Sequence, residues 1–190
     1  SAGREYPRGP AQEFTINLDK SAGKPMGADM EVSCGKRCYI CAVLKDGVFA
    51  EYNRTATPEK QLKVGDYIKK VNGIQDNSLS MLDCLKKEGR FEVTIQRPLL
   101  FTIAIKKKDV QAQLGVKLVD RPSGNSLLIK EVITGPLMDW NITHPEQDVK
   151  AGDRIVAVNG KGGKVDELVE ASKAGAHLQL AISRPGTTKD

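Results

Sequence analysis

Aromatic residues are scarce in this 190-residue chain, 5% in all with a single Trp. The net charge of +5 comes from basic residues scattered among acidic ones. That leaves no aromatic-lined basic surface of the kind on which single-stranded nucleic acid stacks, and nucleic-acid binding is disfavoured. No apolar run approaches the roughly 18 residues needed to cross a bilayer, and no signal-peptide core is present. The chain opens on Ser1 rather than Met, which reads as a processed or trimmed chain whose targeting segment has been removed. Histidine is limited to His144 and His177, and no Ser-His-Asp set or pair of carboxylates emerges. Catalysis therefore has little to stand on, and nothing calls for a cofactor. The run NGKGGK (159–164) lacks the spacing and the Ser or Thr of a phosphate loop.

Cysteine is limited to Cys34, Cys38, Cys41 and Cys84. The first three have a metal-like spacing, but RCYICAVL alternates as a strand does. Positions 38 and 41 then point to opposite faces and cannot grip one ion. Free, largely buried thiols in a reducing, intracellular compartment are the expectation. The densest basic run, Lys106, Lys107 and Lys108, reads first as a solvated loop and second as a contact for acidic lipid headgroups.

What the chain does have is 39% hydrophobic and 28% charged residues, a balance that suits a soluble globular protein. It also repeats itself. FTINL at 14 recurs as FTIAI at 101, GDYIKKVNG at 65 as GDRIVAVNG at 152, and RP at 97 as RP at 184. By subtraction each pair lies 87 positions apart. YICAVLKDG matches LLIKEVITG in apolar pattern, and EYN (51–53) matches DWN (139–141). A tandem duplication follows: an arm over 1–13, one unit over 14–98, a second over 101–185 and a tail over 186–190. Only Leu99 and Leu100 separate the units.

Within each unit FTINL/FTIAI, MGADMEV/LGVKLVD, CYICAVL/LLIKEVI, DYIKKV/RIVAV and RFEVTIQ/HLQLAIS carry strand signals. The Asn-Gly pairs that end DYIKKVNG and RIVAVNG supply hairpin turns. DGVFAEYN and GPLMDWN predict helical turns ending at Asn53 and Asn141. Those two residues head N-x-T sequons, yet their matched positions favour a capping or turn role over glycosylation. SLSMLDCLKKEG and VDELVEASKAG have helical spacing and are expected to stop at Gly. In the second helix Val165, Leu168, Val169 and Ser172 share a stripe. The fold class is mainly β with α: two partly open antiparallel barrels of five or six strands, each with two helices.

This order, with the GD-x-I-x-x-VNG runs, the Arg-Pro after the last strand and the x-Φ-G-Φ loops PMGA (25–28) and QLGV (113–116), resembles the PDZ domain in both units. The long inserts EYNRTATPEKQL and DWNITHPEQDV resemble PDZ units of dinoflagellates and related protists. The resemblance implies a non-enzymatic interaction scaffold that binds extended or C-terminal peptides by strand addition. It implies carboxylate-binding loops at Pro25, Met26, Gly27 and Ala28, and at Gln113, Leu114, Gly115 and Val116. It implies side-chain pockets at Met26, Ala28, Leu82 and Leu85, and at Leu114, Val116, Leu168 and Ala171. Lys24 fills the family's basic position upstream of the loop. Ser78 and Lys164 fall near the helix-start position that commonly carries His, so a Ser/Thr preference is not supported, and Lys164 would favour an acidic ligand side chain. Pro25 and Gln113 stand where Gly is usual. Because Pro25 removes a backbone donor, unit two is the expected carboxylate binder. Two further readings stay open: a subunit of a larger hetero-oligomeric, even plastid, complex that uses these folds as docking surfaces, and the regulatory fragment of a protease.

Overall fold

A computed structural model describes residues 12–119 and 124–186; most of the N-terminal arm and of the tail lies outside them. In the first unit the strands are β1 (Glu13–Lys20), β2 (Ala28–Glu31), β3 (Cys38–Val43), β4 (Tyr67–Val71), β5 (Ile74–Gln75) and β6 (Gly89–Gln96). Helices α1 (Val48–Thr55) and α2 (Ser78–Lys86) accompany them. The second unit has β7 (Leu99–Lys106), β8 (Val116–Val119), β9 (Leu127–Val132), α3 (Pro136–Thr143), β10 (Arg154–Val158), α4 (Val165–Lys173) and β11 (His177–Arg184). The contact pattern places Pro10–Pro98 in one unit and Leu99–Arg184 in the other. Leu99 and Leu100 are therefore not a spacer: they open β7, where Leu99 pairs with Arg184 and Leu100 with Ser183. No helix among the described residues is long and apolar enough to cross a membrane.

Each unit is one antiparallel sheet, in the order β1-β6-β4-β3-β2 with β5 on β4, and β7-β11-β10-β9-β8. The alternation in FTINL and RFEVTIQ produces this pairing, because it aims every second side chain inward. Ile16 faces Val93 and Leu18 faces Phe91 across β1 and β6; Ile103 faces Leu180 and Ile105 faces Leu178 across β7 and β11. All eight are buried. The first and last strands of each order do not pair with each other, so the sheets stay open, and among the described residues the outer edges of β2 and β8 pair with no further strand.

The duplicated motifs are the fastenings of each fold. Asp66 is buried and accepts two hydrogen bonds from Arg97 Nη1 at 3.1 and 3.0 Å and one from the Lys63 amide at 2.8 Å. Asp153 accepts Arg184 Nε at 2.8 Å, Arg184 Nη2 at 2.6 Å and the Lys150 amide at 2.9 Å. Each guanidinium lies 5.1 Å from the ring centre of Phe14 or Phe101. Burial pushes the Asp66 carboxyl up, against the pull of the Lys63 amide and Arg97, while the hydrogen bond to Asp153 chiefly raises Arg184. Gly-Asp and Arg-Pro, 31 residues apart in each copy, are thus the two halves of one ion pair.

Asn53 and Asn141 sit inside α1 and α3, which run two residues beyond them rather than ending there. Asn53 donates to Leu62 O at 2.9 Å and accepts from Leu62 N at 2.8 Å; Asn141 does the same with Val149 at 2.7 and 2.8 Å. Both ends of each carboxamide are occupied in pinning the insert down. The helices also end before their glycines, α2 at Lys86 and α4 at Lys173. A buried lysine from the first strand region explains this. Lys20 Nζ donates to Leu85 O and Lys86 O at 3.1 and 2.9 Å, and Lys107 Nζ donates to Ser172 O at 3.1 Å and Val110 O at 2.8 Å. Orphan carbonyls that a glycine turn would have covered are taken by an ammonium. This also corrects the reading of the basic run, since Lys107 is buried and only Lys106 and Lys108 are exposed.

Candidate functional site

The loops PMGA and QLGV lie at the start of β2 and β8, where the sheet edge meets α2 and α4. Gly27 and Gly115 adopt φ of +74° and +80°, a region that costs residues with a Cβ. A Cβ on Gly27 would fall 2.2 Å from Asp46 O, and one on Gly115 would fall 2.9 Å from Gly135 Cα. Glycine is required there both for the turn and for the close approach.

The loop carbonyls have defined partners. Pro25 O accepts from Val48 N at 3.1 Å, Met26 O from Phe49 N at 3.0 Å and Gly27 O from Leu44 N at 2.9 Å. The described peptide bonds are trans, and in a trans peptide the N–H points opposite the C=O. The amides of Met26 and Gly27 therefore turn away from α1 and that of Ala28 away from Leu44, leaving the three free for an anion-binding nest. In unit two Leu114 O accepts from Leu137 N at 3.1 Å and Gly115 O from Ile133 N at 2.8 Å, turning out the amides of Gly115 and Val116. Val48's counterpart is Pro136, which has no N–H to fix the Gln113 carbonyl. The nitrogen of Pro25 itself precedes the amides of Met26, Gly27 and Ala28.

On the helix side the spacing of 87 holds from Ser78 to Val165, from Leu82 to Val169 and from Leu85 to Ser172. Val169 and Ser172, with Leu114, Val116, Leu118, Leu127 and Ile155, line a cavity of about 450 Å³ that reaches Gln113 and Lys173. Leu168 is 1% exposed, and neither it nor Ala171 is among the residues that line this cavity. Met81, the counterpart of Leu168, is likewise buried, and Cys84, the counterpart of Ala171, is half-buried. Lys164 is the exposed N-cap of α4, its amide donating to Glu167 Oε2 at 2.7 Å, and its counterpart is Asn77, whose Oδ1 accepts from Ser80 N at 3.0 Å. The first helical residue is Val165.

Unit one is arranged differently. Leu82 is half-buried and Leu85 fully buried beside Met26. Ser78 is buried, and its hydroxyl donates to Val32 O at 2.9 Å, joining the start of α2 to the chain just past β2. Lys24 Nζ lies 2.6 Å from Glu51 Oε2 and so has a fixed anionic partner. Cys38 Sγ donates to Ser78 O at 3.4 Å, and burial, with Cys34 second, pushes its thiol up to about 12. Sequence reasoning missed Ser172, the Ser78 latch and the paired lysines. The 87-residue spacing carried through the helices would have found the first.

No protein-family model matches the chain. Among solved structures, the chain is similar to a structure of INAD PDZ45 in complex with NG2 peptide, at 22% identity and a TM-score of 0.37, over 99% of this chain and 97% of that one. It is also similar to a complex of INAD PDZ45 and NORPA CC-PBM, at 23% identity and a TM-score of 0.39, over 96% of each chain. A crystal structure of MUPP1 PDZ4 aligns at 18% identity and a TM-score of 0.38, covering 48% of this chain and 80% of that one.

Proposed function

We propose that this chain is a non-enzymatic adaptor made of two PDZ-like units, over 14–98 and 101–185, each taking an extended peptide by strand addition. The observation that carries this reading is in unit two. There the outer edge of β8, which pairs with no further strand among the described residues, a cavity beneath α4 and the outward-turned amides at Gly115 and Val116 converge on one place. An added strand would find backbone partners along β8, a hydrophobic socket for one side chain and donors for a terminal carboxylate. A single site of this kind has an affinity on the order of micromolar, about −8 kcal/mol, and two linked sites gain avidity when both are engaged. The test is a random peptide library with free C-termini, panned against the full chain. Enrichment that disappears on Val116→Asp supports the reading; no enrichment at all sinks it.

A second reading, a docking subunit of a larger assembly, draws support from unit one. Its Ser78–Val32 bond ties helix to strand across the far end of the groove, and Lys24 is already paired. Native purification followed by identification of co-eluting chains separates the two: an adaptor releases its partners to a competing peptide, whereas a fixed subunit does not.

A further inference from the structure

Leu85 and Ser172 occupy the same place in the two units. Their backbones are held alike, each carbonyl accepting a buried lysine ammonium at 3.1 Å. Only the side chain differs. In unit one the isobutyl group of Leu85 is 1% exposed and packs into the core that includes Met26. In unit two the hydroxymethyl group of Ser172 leaves that volume open, and the cavity of about 450 Å³ is found there. Its hydroxyl donates back to Val169 O at 2.7 Å, so its polar group is satisfied within the helix and asks for no polar ligand atom. The remaining lining sets the aliphatic Leu114, Val116, Leu118, Val169, Leu127 and Ile155 beside the polar Gln111 and Gln113. Lys173 also lines this cavity, with its ammonium 3.7 Å from Glu170 Oε1.

We propose that Ser172 determines the specificity of the unit-two groove. It makes room for a bulky apolar side chain, aromatic or branched aliphatic, next to the carboxylate of an extended peptide, while Leu85 restricts unit one to a small one. The complement to the carboxylate is the outward amides of Gly115 and Val116. This inference rests on the peptide-binding reading above and adds the class of ligand.

The test uses the full chain labelled with ¹⁵N and two six-residue peptides, identical but for a terminal Phe or Ala, each with a free carboxylate. The amides of Gly115 and Gly27 report the two grooves separately. At Gly115 the Phe peptide is expected to bind at least about tenfold tighter than the Ala peptide, the scale on which apolar pockets discriminate by a few carbons. Ser172→Leu should erase that preference and Ser172→Ala should keep it; Ser172→Val reads the same ratio if the leucine variant does not fold. Equal binding of both peptides at wild-type Gly115, or a Phe preference that survives Ser172→Leu, overturns the assignment while leaving peptide binding intact. If neither peptide moves either glycine, the peptide-binding reading falls and this inference falls with it.

Discussion

Cys38 shows how strongly one residue's surroundings decide its chemistry. It lies at the start of β3, fully buried, with its thiol donating to the first carbonyl of α2. A thiolate there would lose its hydration, so burial, with Cys34 second, carries the pKa from 9.0 up to about 12. Below pH 9 the thiol is neutral in both the folded and the unfolded chain and contributes no pH dependence. As pH rises from 9 toward 12 the unfolded chain sheds that proton and the folded chain keeps it, so unfolding is favoured. The expected slope is up to about 1.4 kcal/mol per pH unit. Urea midpoints between pH 8 and 11 should therefore fall more steeply in the wild type than in Cys38→Ala. Parallel lines for the two proteins would show that Cys38 ionises as readily in the fold as outside it. The thiol was foreseeable as buried, because RCYICAVL alternates; its contact with Ser78, 40 residues on, was not.

At the scale of elements, α2 and α4 illustrate what local sequence contains and what it omits. Their apolar stripes announce two helices, and the existence and rough extent of both are legible. The ends are not, because the cap is neither a glycine nor a neighbour. Lys20 reaches carbonyls 65 and 66 residues away, and Lys107 reaches one 65 residues away. The facing register slips for a related reason. Leu168 and Val169 are adjacent and equally apolar, and only packing against the sheet decides that the first enters the core and the second the groove. A buried cation at a helix C-terminus satisfies orphan carbonyls and opposes the helix dipole. Lys107→Met should lower the stability of unit two by about 2 kcal/mol, the usual scale for hydrogen bonds made by a charged group. Amide exchange should quicken in the last turn of α4, and Lys107→Arg should restore part of the protection. Unchanged exchange across α4 in Lys107→Met would mean that the helix end is held by something else.

For the whole molecule, the duplication made the architecture readable, since every anchor found once could be checked 87 residues later. Strands, hairpin turns and the positions of both loops follow from that comparison. What escaped it are the places where the copies diverge: Val48 against Pro136, Leu85 against Ser172, and Ser78 against Val165. Divergence changes which amides are held and how much room a groove keeps, without changing the pattern that identifies the fold. The two hydrophobic cores share no residue. One runs from Ile16 to Ile95 and the other from Ile103 to Ile182. Each unit also carries its own Asp–Arg pair and its own asparagine clip. A domain of this size with a closed core and its fastenings in place is expected to hold a stability on the order of 5 kcal/mol by itself. Cutting the chain after Pro98 should therefore give two fragments, 1–98 and 99–190, that each unfold in a single cooperative transition and give dispersed amide spectra. The spectrum of each fragment should overlay that of the full chain for its core strands. A fragment with collapsed amide dispersion and no cooperative transition would show that the units fold as one body, and that the repeat marks ancestry rather than independent domains.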